Sequence, residues 1–500
     1  MNHRCLLHVP RLRPAWVASA AWLLAIVFSI ASFGTAAAAD SPRPLKPAEP
    51  AEGPLALTKV ETWAPHPQAA AACSKGENGQ VTIAGNGTPT CCGGWQFVFA
   101  GVQAGQAYRL RTRVEHKDLQ SAWDSLVAIV LWDQWKPNQT GTNNKLWNYF
   151  LPQAVADGTI DFGCVARAPE GAKCLTVRYI LRWSQHGSSR WTAPQIEPTI
   201  LQPKSPVKVC VVNALPKGKQ RTEILPLAAG LGLPEDVAKS VELWGSLILE
   251  ACRRKPQLVL TPEVVIGGKE PIEGSLAVPG PATKPFEKIA RDHQVHLVLG
   301  MRERDGNALY NSAVLIGPSG KVEGVYRKVH LATSEGFSGI LPGDRFPVFD
   351  TSIGRIGCMI CMDTTVCESA RLLALGGAEL ICFPIMGDLR ASRWEPGSPV
   401  FNEDVWKAIM RTRAIDNQVC MVIARNGVQG SCVIDRKGDI LAWNEGDQEV
   451  IEATLPAEDG YRVWNGGDFR EVTFLLRRPH LYGIFSDQSS LGPLKPIPSK

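Results

Sequence analysis

The chain shows two successive patterns of apolar and polar positions. From about residue 55 to residue 200, short stretches alternate apolar with polar side chains, as in 106–116 (QAYRLRTRVEH). A period of two is typical of strands that bury one face. Because clusters of glycine and proline separate these stretches, we predict an all-β sandwich of jelly-roll type at 55–200.

A different pattern begins after a second linker near residues 202–208. Residues 207–215 (VKVCVVNAL) form an apolar run typical of a buried strand, and 237–255 (VAKSVELWGSLILEACRRK) has the spacing of an amphipathic helix. Strands and helices then alternate to about Tyr482. This order predicts a layered α/β domain with a sheet at its core, which we assign to residues 207–485.

The first 39 residues have a character of their own. Arginines precede an uncharged run at 14–34, and small residues follow up to Ala39. This is the order of a signal peptide, so we predict export to the periplasm or beyond, with cleavage near Ala39. An N-terminal membrane anchor is the alternative, because the run is long enough to span a bilayer. The Pro-rich residues 40–54 are predicted to be a linker.

Composition narrows the classes of function. The chain has 500 residues, of which 45% are hydrophobic and 20% charged, and a net charge of +5. This length exceeds one ordinary core and favours two domains. Lysine and arginine do not cluster with interleaved aromatic residues, so we predict that nucleic acid is not a partner.

Tryptophans and cysteines are frequent in the predicted sandwich. Its eight tryptophans either form an aromatic platform for a carbohydrate or fill a small core. They are Trp63, Trp95, Trp123, Trp132, Trp135, Trp147, Trp183 and Trp191. Export permits disulfides, and five cysteines are candidates for one or two of them. They are Cys73, Cys91, Cys92, Cys164 and Cys174. Because five is odd, their pairing stays open.

Three chemically active side chains fall at the ends of predicted strands. Glu263 ends QLVLTPE, Lys328 ends VEGVYRK and Cys361 ends GRIGCMIC. Sites in α/β sheets gather where strands end and loops begin. A carboxylate, an ammonium group and a thiol at such ends form a coherent set for nucleophilic catalysis.

The segment 356–384 holds four cysteines, and their positions in the predicted strands and helix indicate different roles. Cys361 lies where a strand turns into a helix capped by Asp363, so the helix N-terminus and an adjacent lysine are expected to lower its pKa. Cys358, Cys367 and Cys382 are interpreted as small buried apolar residues. A redox or metal role for the Cys358–Cys361 pair is disfavoured, because residues three apart on a strand face opposite sides and no partner pair exists in the sequence.

These residues lie within a larger match. The chain from Val207 to Tyr482 resembles the nitrilase superfamily of carbon–nitrogen hydrolases, over a little more than half of its length. The match runs in order through TPE, YRK, ICMD, GAELICFP, RTRAIDNQV and GSCVIDRKGDIL. Met and Asp follow the cysteine where nitrilases usually have Trp and Glu, which is closer to the amidase and N-carbamoylputrescine amidase-like branches.

The resemblance implies a role for each site residue. Glu263 would be the general base, Lys328 the electrostatic stabiliser and Cys361 the nucleophile. Glu335 would be the second glutamate of the family, and the backbone N–H of Met362 would help to bind the oxyanion. The resemblance also implies an α-β-β-α sandwich, a dimer or larger homo-oligomer, and no cofactor or metal.

The family's substrate pocket usually includes a loop that corresponds to MGDLRASRWEPG in this sequence. Asp388, Arg390 and Arg393 are therefore candidates for substrate binding, and either arginine suits a substrate carboxylate. A solvated loop without this role is the alternative.

The sequence leaves three functions in competition. The first is an exported hydrolase of a small linear amide or an N-carbamoyl amine, acting through a cysteine thioester. The second is an N-acyltransferase that uses the same thioester step. The third is a ligand-binding protein with an inactive second domain, which the retention of Glu263, Lys328, Glu335 and Cys361 disfavours.

Overall fold

The structure is a computed structural model that describes residues 55–136, 145–201, 204–216, 218–386, 401–457 and 462–486. All of them belong to one compact unit, Pro47–Lys500. The predicted signal peptide at 1–39 and the predicted linker at 40–54 lie outside the described residues. Among the helices in the described ranges, none is both long enough and apolar enough to cross a bilayer.

The first half of the described chain consists almost entirely of antiparallel strands. They are β1 (Ala56–Trp63), β2 (Ala72–Lys75), β3 (Val81–Ala84), β4 (Cys92–Ala100), β5 (Ala107–Lys117), β6 (Leu126–Trp132), β7 (Trp147–Tyr149), β8 (Leu151–Ala156), β9 (Thr159–Arg167), β10 (Cys174–Arg182), β11 (Ser188–Trp191) and β12 (Gln195–Thr199). One short helix, α1 (Ala122–Ser125), precedes β6.

These strands form two sheets that share one core. A five-stranded sheet has the order β1-β4-β10-β6-β7, and a seven-stranded sheet has the order β2-β3-β11-β5-β9-β8, with β12 also paired to β5. Side chains from both sheets form a single apolar cluster. The domain is therefore a two-layer β-sandwich, and its jelly-roll connectivity stays a prediction.

The tryptophans of the sandwich divide between core and surface. Trp95, Trp132 and Trp191 are buried, as the core-packing alternative expected. Trp123 and Trp183 are 43% and 48% exposed. The three buried rings fill the space between the sheets, whereas Trp63, Trp135 and Trp147 are partly exposed, and an aromatic platform for a carbohydrate stays a prediction.

The second half alternates strands with helices. Its strands are β13 (Val207–Val212), β14 (Leu258–Leu260), β15 (His296–Asp305), β16 (Ala308–Ile316), β17 (Val322–Arg327), β18 (Val348–Thr351), β19 (Gly354–Cys358), β20 (Leu380–Ile385), β21 (Cys420–Arg425), β22 (Cys432–Ile434), β23 (Ile440–Trp443), β24 (Val450–Leu455), β25 (Val463–Trp464) and β26 (Gly467–Asp468). Its helices are α2 (Glu235–Cys252), α3 (Lys284–His293), α4 (Thr333–Phe337), α5 (Cys367–Leu375), α6 (Glu403–Asn417) and α7 (Phe469–Leu475).

Two six-stranded sheets form the centre of this half. Their strand orders are β17-β16-β15-β14-β13-β24 and β18-β19-β20-β21-β22-β23. Helices α2 and α3 pack on the outer face of the first sheet, and α5 and α6 pack on the outer face of the second. Apolar side chains of both sheets, such as Val209 and Val422, meet between them. This helix–sheet–sheet–helix order is the predicted α-β-β-α sandwich.

The segment 462–486 connects the two halves. Leu146 N donates a hydrogen bond to the Gly466 carbonyl at 2.6 Å, and the indole of Trp147 donates to the Asn465 carbonyl at 2.8 Å. From the same segment, Arg470 donates to the carbonyls of Ala374 and Ala378. The C-terminal segment therefore attaches the β-sandwich to the end of α5.

Three expectations about local structure are wrong. Asp363 does not cap an α-helix, because α5 begins only at Cys367 and a 3-10 turn occupies Cys361–Thr365. Cys367 is exposed rather than buried. The disulfide candidates Cys73, Cys91, Cys92, Cys164 and Cys174 form no bridge, since every cysteine in the described residues is a free thiol.

Candidate active site

Glu263 is held in place by the close approach of two strands. It follows β14 after Thr261 and Pro262, and its side chain is 4% exposed. A Cβ atom at Gly300 would lie 2.1 Å from the Pro262 carbonyl oxygen, so only glycine lets β15 pass this close. Gly300 N also donates to Thr261 Oγ1 at 3.0 Å. These contacts fix the loop from which the Glu263 carboxylate enters the site.

Lys328 follows directly after β17. Its backbone N–H donates to the Asn311 carbonyl at 2.8 Å, and its own carbonyl accepts from Gly343 N at 2.8 Å. The side chain is 1% exposed, and a lysine is rarely buried so completely unless its charge is paired. The position is thus built to hold an ammonium group inside the protein.

Two carboxylates compensate the Lys328 charge. Its Nζ lies 2.8 Å from Glu263 Oε1 and 2.6 Å from Glu335 Oε2. Burial lowers the Lys328 pKa, but the charges of Glu263 and Glu335 raise it more, and the net direction is upward. Lys328 therefore stays protonated at neutral pH and supplies a permanent positive charge.

Glu335 lies on α4 and is oriented by the turn that begins this helix. Its Oε2 accepts a hydrogen bond from Ala332 N at 2.8 Å, in the manner of a capping box. Asn311 joins the two carboxylates, since its Nδ2 lies 2.6 Å from Glu335 Oε1 and 2.8 Å from Glu263 Oε1. The Glu263 Oε2 atom accepts from Met386 N at 2.7 Å. Both carboxylates are held by several donors.

Cys361 begins the 3-10 turn with an unusual backbone conformation. Its φ is +46°, in the left-handed region that non-glycine residues rarely adopt. Residues held in such conformations cluster at functional sites, where the surrounding structure maintains them. The conformation turns the chain sharply three residues after β19 and brings the thiol to Glu263, Lys328 and Glu335.

The thiol is neutral in this environment. Burial and the charge of Glu263 raise the Cys361 pKa to about 12, with Lys328 acting in the opposite direction. The expectation of a lowered pKa is therefore wrong, because burial and the carboxylates outweigh the ammonium group. A base must take the thiol proton before or during attack, and Glu263 is the adjacent group able to accept it.

Asp363 fastens the Cys361 turn to the lysine segment. Its fully buried carboxylate accepts from Ile360 N at 2.8 Å, Tyr326 OH at 2.6 Å and His330 N at 3.0 Å. The His330 ring lies on the same carboxylate, with Nδ1 at 2.8 Å from Oδ1. Asp363 therefore acts on the site through its neighbours rather than as a helix cap.

The structure brings together Glu263, Lys328, Glu335 and Cys361, all selected from the sequence. Met362 follows the cysteine directly in the 3-10 turn, and its oxyanion role stays a prediction. Asn311, which lies in β16, was not among the residues selected from the sequence, and no motif around it marks it.

Other expectations about the site have different outcomes. Asp388, Arg390 and Arg393 lie outside the described residues. No group of three or more potential metal ligands occurs within the described part of the chain. The arrangement of a neutral thiol, an adjacent base and a fixed cation suits acyl transfer to cysteine.

Comparison with known proteins identifies the catalytic half of the chain. The sequence profile described as carbon-nitrogen hydrolase matches residues 227–463. A nitrilase of Pyrococcus abyssi is 40% identical over 255 residues, which cover 47% of this chain and 90% of that protein. A citrullinase of Francisella tularensis is 29% identical over 280 residues, covering 50% of this chain and 94% of that protein.

A solved amidase of Nesterenkonia, from the nitrilase superfamily, is 19% identical. It aligns with 57% of this chain and 100% of its own at a TM-score of 0.43. The sequence relatives carry the assignment, since this chain covers nearly the full length of the Pyrococcus abyssi protein at 40% identity. The chain belongs to the nitrilase superfamily of carbon–nitrogen hydrolases.

Proposed function

We propose that the chain is an exported hydrolase that cleaves a small linear amide or an N-carbamoyl amine through a Cys361 thioester. The observation that carries this proposal is the buried cluster at Cys361, in which Lys328 Nζ lies 2.8 Å from Glu263 and 2.6 Å from Glu335. Export rests on the sequence of residues 1–39, and assembly into a homo-oligomer stays a prediction.

The first half of the reaction forms the thioester. Glu263 accepts the thiol proton while Cys361 Sγ attacks the carbonyl carbon, because the neutral thiol is a weak nucleophile. Lys328 and the Met362 N–H stabilise the oxyanion, where one well-placed donor contributes about 3 kcal/mol. The carbon–nitrogen bond then breaks, and protonated Glu263 returns its proton to the leaving amine.

The second half releases the acid. Water attacks the thioester carbon and gives its proton to Glu263, and the carbon–sulfur bond breaks with the proton returning to Cys361. Glu335 positions this water, since its carboxylate is held by Lys328, Asn311 and Ala332 N beside the thiol. These residues complete the cycle with water as the only co-substrate.

The breadth of the substrate class rests on the relatives. One relative is named for citrulline, whose side chain ends in a carbamoylated amine, and another is a nitrilase. The Met–Asp pair after the cysteine favours amides and ureides over nitriles for this chain.

Intact-mass spectrometry of the purified protein tests the proposal. The protein would be incubated with short linear amides, N-carbamoyl amines and nitriles, and the acyl adduct would be measured beside released ammonia and amine. We expect an adduct on the wild-type protein with at least one amide or ureide. Its mass would give the acyl group.

Two cysteine variants make the result specific. Cys361→Ala should abolish both adduct and turnover, whereas Cys367→Ala, at an exposed thiol six residues later, should leave both unchanged. An adduct that survives in Cys361→Ala would contradict the assignment. Acyl products that appear only when an amine acceptor is added would replace hydrolysis by N-acyl transfer.

A further inference from the structure

The outer face of the seven-stranded sheet in the β-sandwich carries a trough outside the active site. Strands β5, β8, β9 and β12 form its walls and floor, and it encloses a cavity of about 730 Å³. This volume lies within the range of roughly 300–1,000 Å³ that is typical of ligand sites. The trough is thus large enough to hold a ligand of several rings.

Arginines line the trough at alternate positions of β5. Arg109, Arg111 and Arg113 are exposed, while the residues between them face the core, as the period of a strand requires. Arg113 is bonded to Asp161 through Nε at 2.6 Å and Nη2 at 2.8 Å. In the described chain, no hydrogen bond, ion pair or ring contact involves the side chains of Arg109 and Arg111. Two guanidinium groups are therefore available in one row.

Small, polar and aliphatic residues make the rest of the trough, among them Val165, which is 39% exposed. Gly163 faces Arg111 across the β5–β9 pair and leaves the floor open. A Cβ atom there would already lie 3.3 Å from the Gln153 side chain. Gln195 stands opposite Arg111 on the other side, in β12. Amide groups such as those of Gln153 and Gln195 both donate and accept hydrogen bonds, which suits hydroxyl groups.

Aromatic side chains do not line the trough in its described part. Phe162 is the only aromatic residue among those around the cavity, and its ring is buried against Trp191 at a centroid distance of 5.7 Å. Bases of single-stranded nucleic acid are usually held by stacking on aromatic rings, so this ligand is disfavoured. Recognition here therefore rests on charge, hydrogen bonds and aliphatic contact rather than on ring stacking.

The charge of the surrounding face is positive. The cations on the outward positions of β5, β9 and β11 outnumber the carboxylates on β5, β9 and β12. The cations are Arg109, Arg111, Arg113, Lys117, Arg167 and Arg190, and the carboxylates are Glu115, Asp161 and Glu197. Of the carboxylates, Asp161 and Glu115 already pair with Arg113 and Arg190. Glu197 stands opposite Arg109 and forms no ion pair with a described residue.

We infer that this trough binds an acidic polysaccharide, with sugar carboxylates on Arg109 and Arg111 and sugar hydroxyls on Gln153 and Gln195. A guanidinium group matches a carboxylate with two parallel hydrogen bonds. Successive arginines on β5 are about 7 Å apart, as positions i and i+2 of a strand are, so a chain with repeated charges can engage both. This inference is independent of the proposed hydrolase reaction and gives the sandwich a role in attaching the enzyme to a charged polymer.

Calorimetric titration of the full-length purified protein tests this inference. The probes are a hexagalacturonate, its fully methyl-esterified form, and a 12-nucleotide oligothymidylate, each in 20 mM and in 300 mM NaCl. We expect binding of the hexagalacturonate that weakens at the higher salt, because exposed ion pairs are screened. The esterified sugar has the same hydroxyls without the charges and should bind at least about tenfold more weakly.

Two double variants distinguish binding in the trough from a general attraction to the positive charge of the protein. Arg109→Gln combined with Arg111→Gln should weaken hexagalacturonate binding by about tenfold or more. Arg253→Gln combined with Arg345→Gln removes the same charge from exposed sites in the other half of the protein and should leave binding unchanged. Absence of binding, equal loss in both double variants, equal binding of the esterified sugar, or tighter binding of the oligothymidylate would each overturn the inference.

Discussion

Two clusters of charged side chains in this protein are built from similar groups in opposite surroundings. At the candidate active site, the Lys328 side chain is 1% exposed and lies between two carboxylates at 2.6 and 2.8 Å. In the trough of the β-sandwich, Arg109 and Arg111 are exposed and have no partner among the described residues. The charges of the first cluster compensate one another without a ligand, whereas the two arginines of the second cluster have no paired counter-charge in the described part of the chain.

The difference shows what each cluster can do. Inside the protein, water does not screen the charges, so Lys328 acts strongly on the thiol, the carboxylates and a developing oxyanion. In the trough, water screens the arginines, and each contributes little until a ligand displaces that water. Burial thus favours a group that stabilises a reaction step, and exposure favours a group that recognises a partner.

Removing one cation from each cluster tests this comparison most strongly. Lys328→Met would leave Glu263 and Glu335 without their counter-charge, and breaking such a buried pair costs about 3–5 kcal/mol of unfolding free energy. Turnover should also fall below detection. Arg111→Gln should change the free energy of unfolding by no more than about 0.5 kcal/mol, as at most exposed sites.

Denaturant unfolding with turnover assays on both variants supplies the measurement. The wild-type protein and Arg111→Gln should share one unfolding midpoint, and Lys328→Met should unfold at a clearly lower denaturant concentration. If Lys328→Met were as stable as Arg111→Gln, the buried ammonium group would not be the charge that holds the two glutamates together.

A smaller effect is expected at Asp363, which contacts the site only through its neighbours. Asp363→Asn keeps the shape but leaves one accepting oxygen in place of two. Its NH₂ group, which cannot accept, must then face either His330 N or the pair Ile360 N and Tyr326 OH. The Cys361 turn should then shift relative to Lys328. Since a displacement of about 1 Å can cost about 100-fold in rate, we expect kcat to fall about 10- to 100-fold with KM little changed.

Alkylation of Cys361 by iodoacetamide, followed with steady-state kinetics, distinguishes positioning from a general loss of folding. If Asp363 positions the cysteine, the variant should keep the circular dichroism of the folded protein. Its rate of Cys361 alkylation should differ from that of the wild-type protein, and the loss of activity should be confined to kcat. Wild-type values of kcat in Asp363→Asn would show that the hydrogen bonds accepted by the Asp363 carboxylate do not control the cysteine.

These residues also show how far the sequence could be interpreted. Glu263, Lys328 and Cys361 were predicted because strand ends and motif spacing are properties of the chain itself. Asn311 and Asp363 depend on which segments meet in space, so their contacts with Glu263 or Tyr326 could not be read from either segment alone. The raised pKa of Cys361 was missed for the same reason, since burial is a property of the folded domain.

Part of the trough, the row of arginines on β5, can be recognised in the sequence alone. The alternation of Arg109, Leu110, Arg111, Thr112 and Arg113 places three guanidinium groups on one face of a strand, and the sequence shows this alternation directly. What it does not show is the paired strand that places Gly163 beside Arg111 and opens a cavity. Local periodicity therefore indicates the face that carries the arginines, and only the sheet register shows the cavity.

The smallest predicted effect concerns a third charge cluster, at the contact between the two halves. Burial raises the pKa of Glu471 from its ordinary 4.5 to about 7, although Lys145 acts to lower it. Lys145 Nζ lies 3.8 Å from Glu471 Oε1 and 3.3 Å from Asp468 Oδ2. Glu471 is partly buried and shares the cation Lys145 with Asp468. This cluster is therefore intermediate in exposure between the buried cluster at Lys328 and the exposed arginines of the trough.

The direction of its pH dependence follows from proton binding. Below pH 4.5 Glu471 is protonated in both the folded and the unfolded chain, and from pH 4.5 to about 7 the folded chain holds the proton more strongly. The stability that this proton binding contributes is therefore present at low pH and lost as the pH rises through this window. Glu471→Gln removes the titration, so its melting temperature should decline less between pH 4.5 and 7 than that of the wild-type protein. Glu77→Gln, at an exposed glutamate of the sandwich, should follow the wild-type curve, and parallel curves for all three proteins would mean that Glu471 ionises in the folded protein as it does in water.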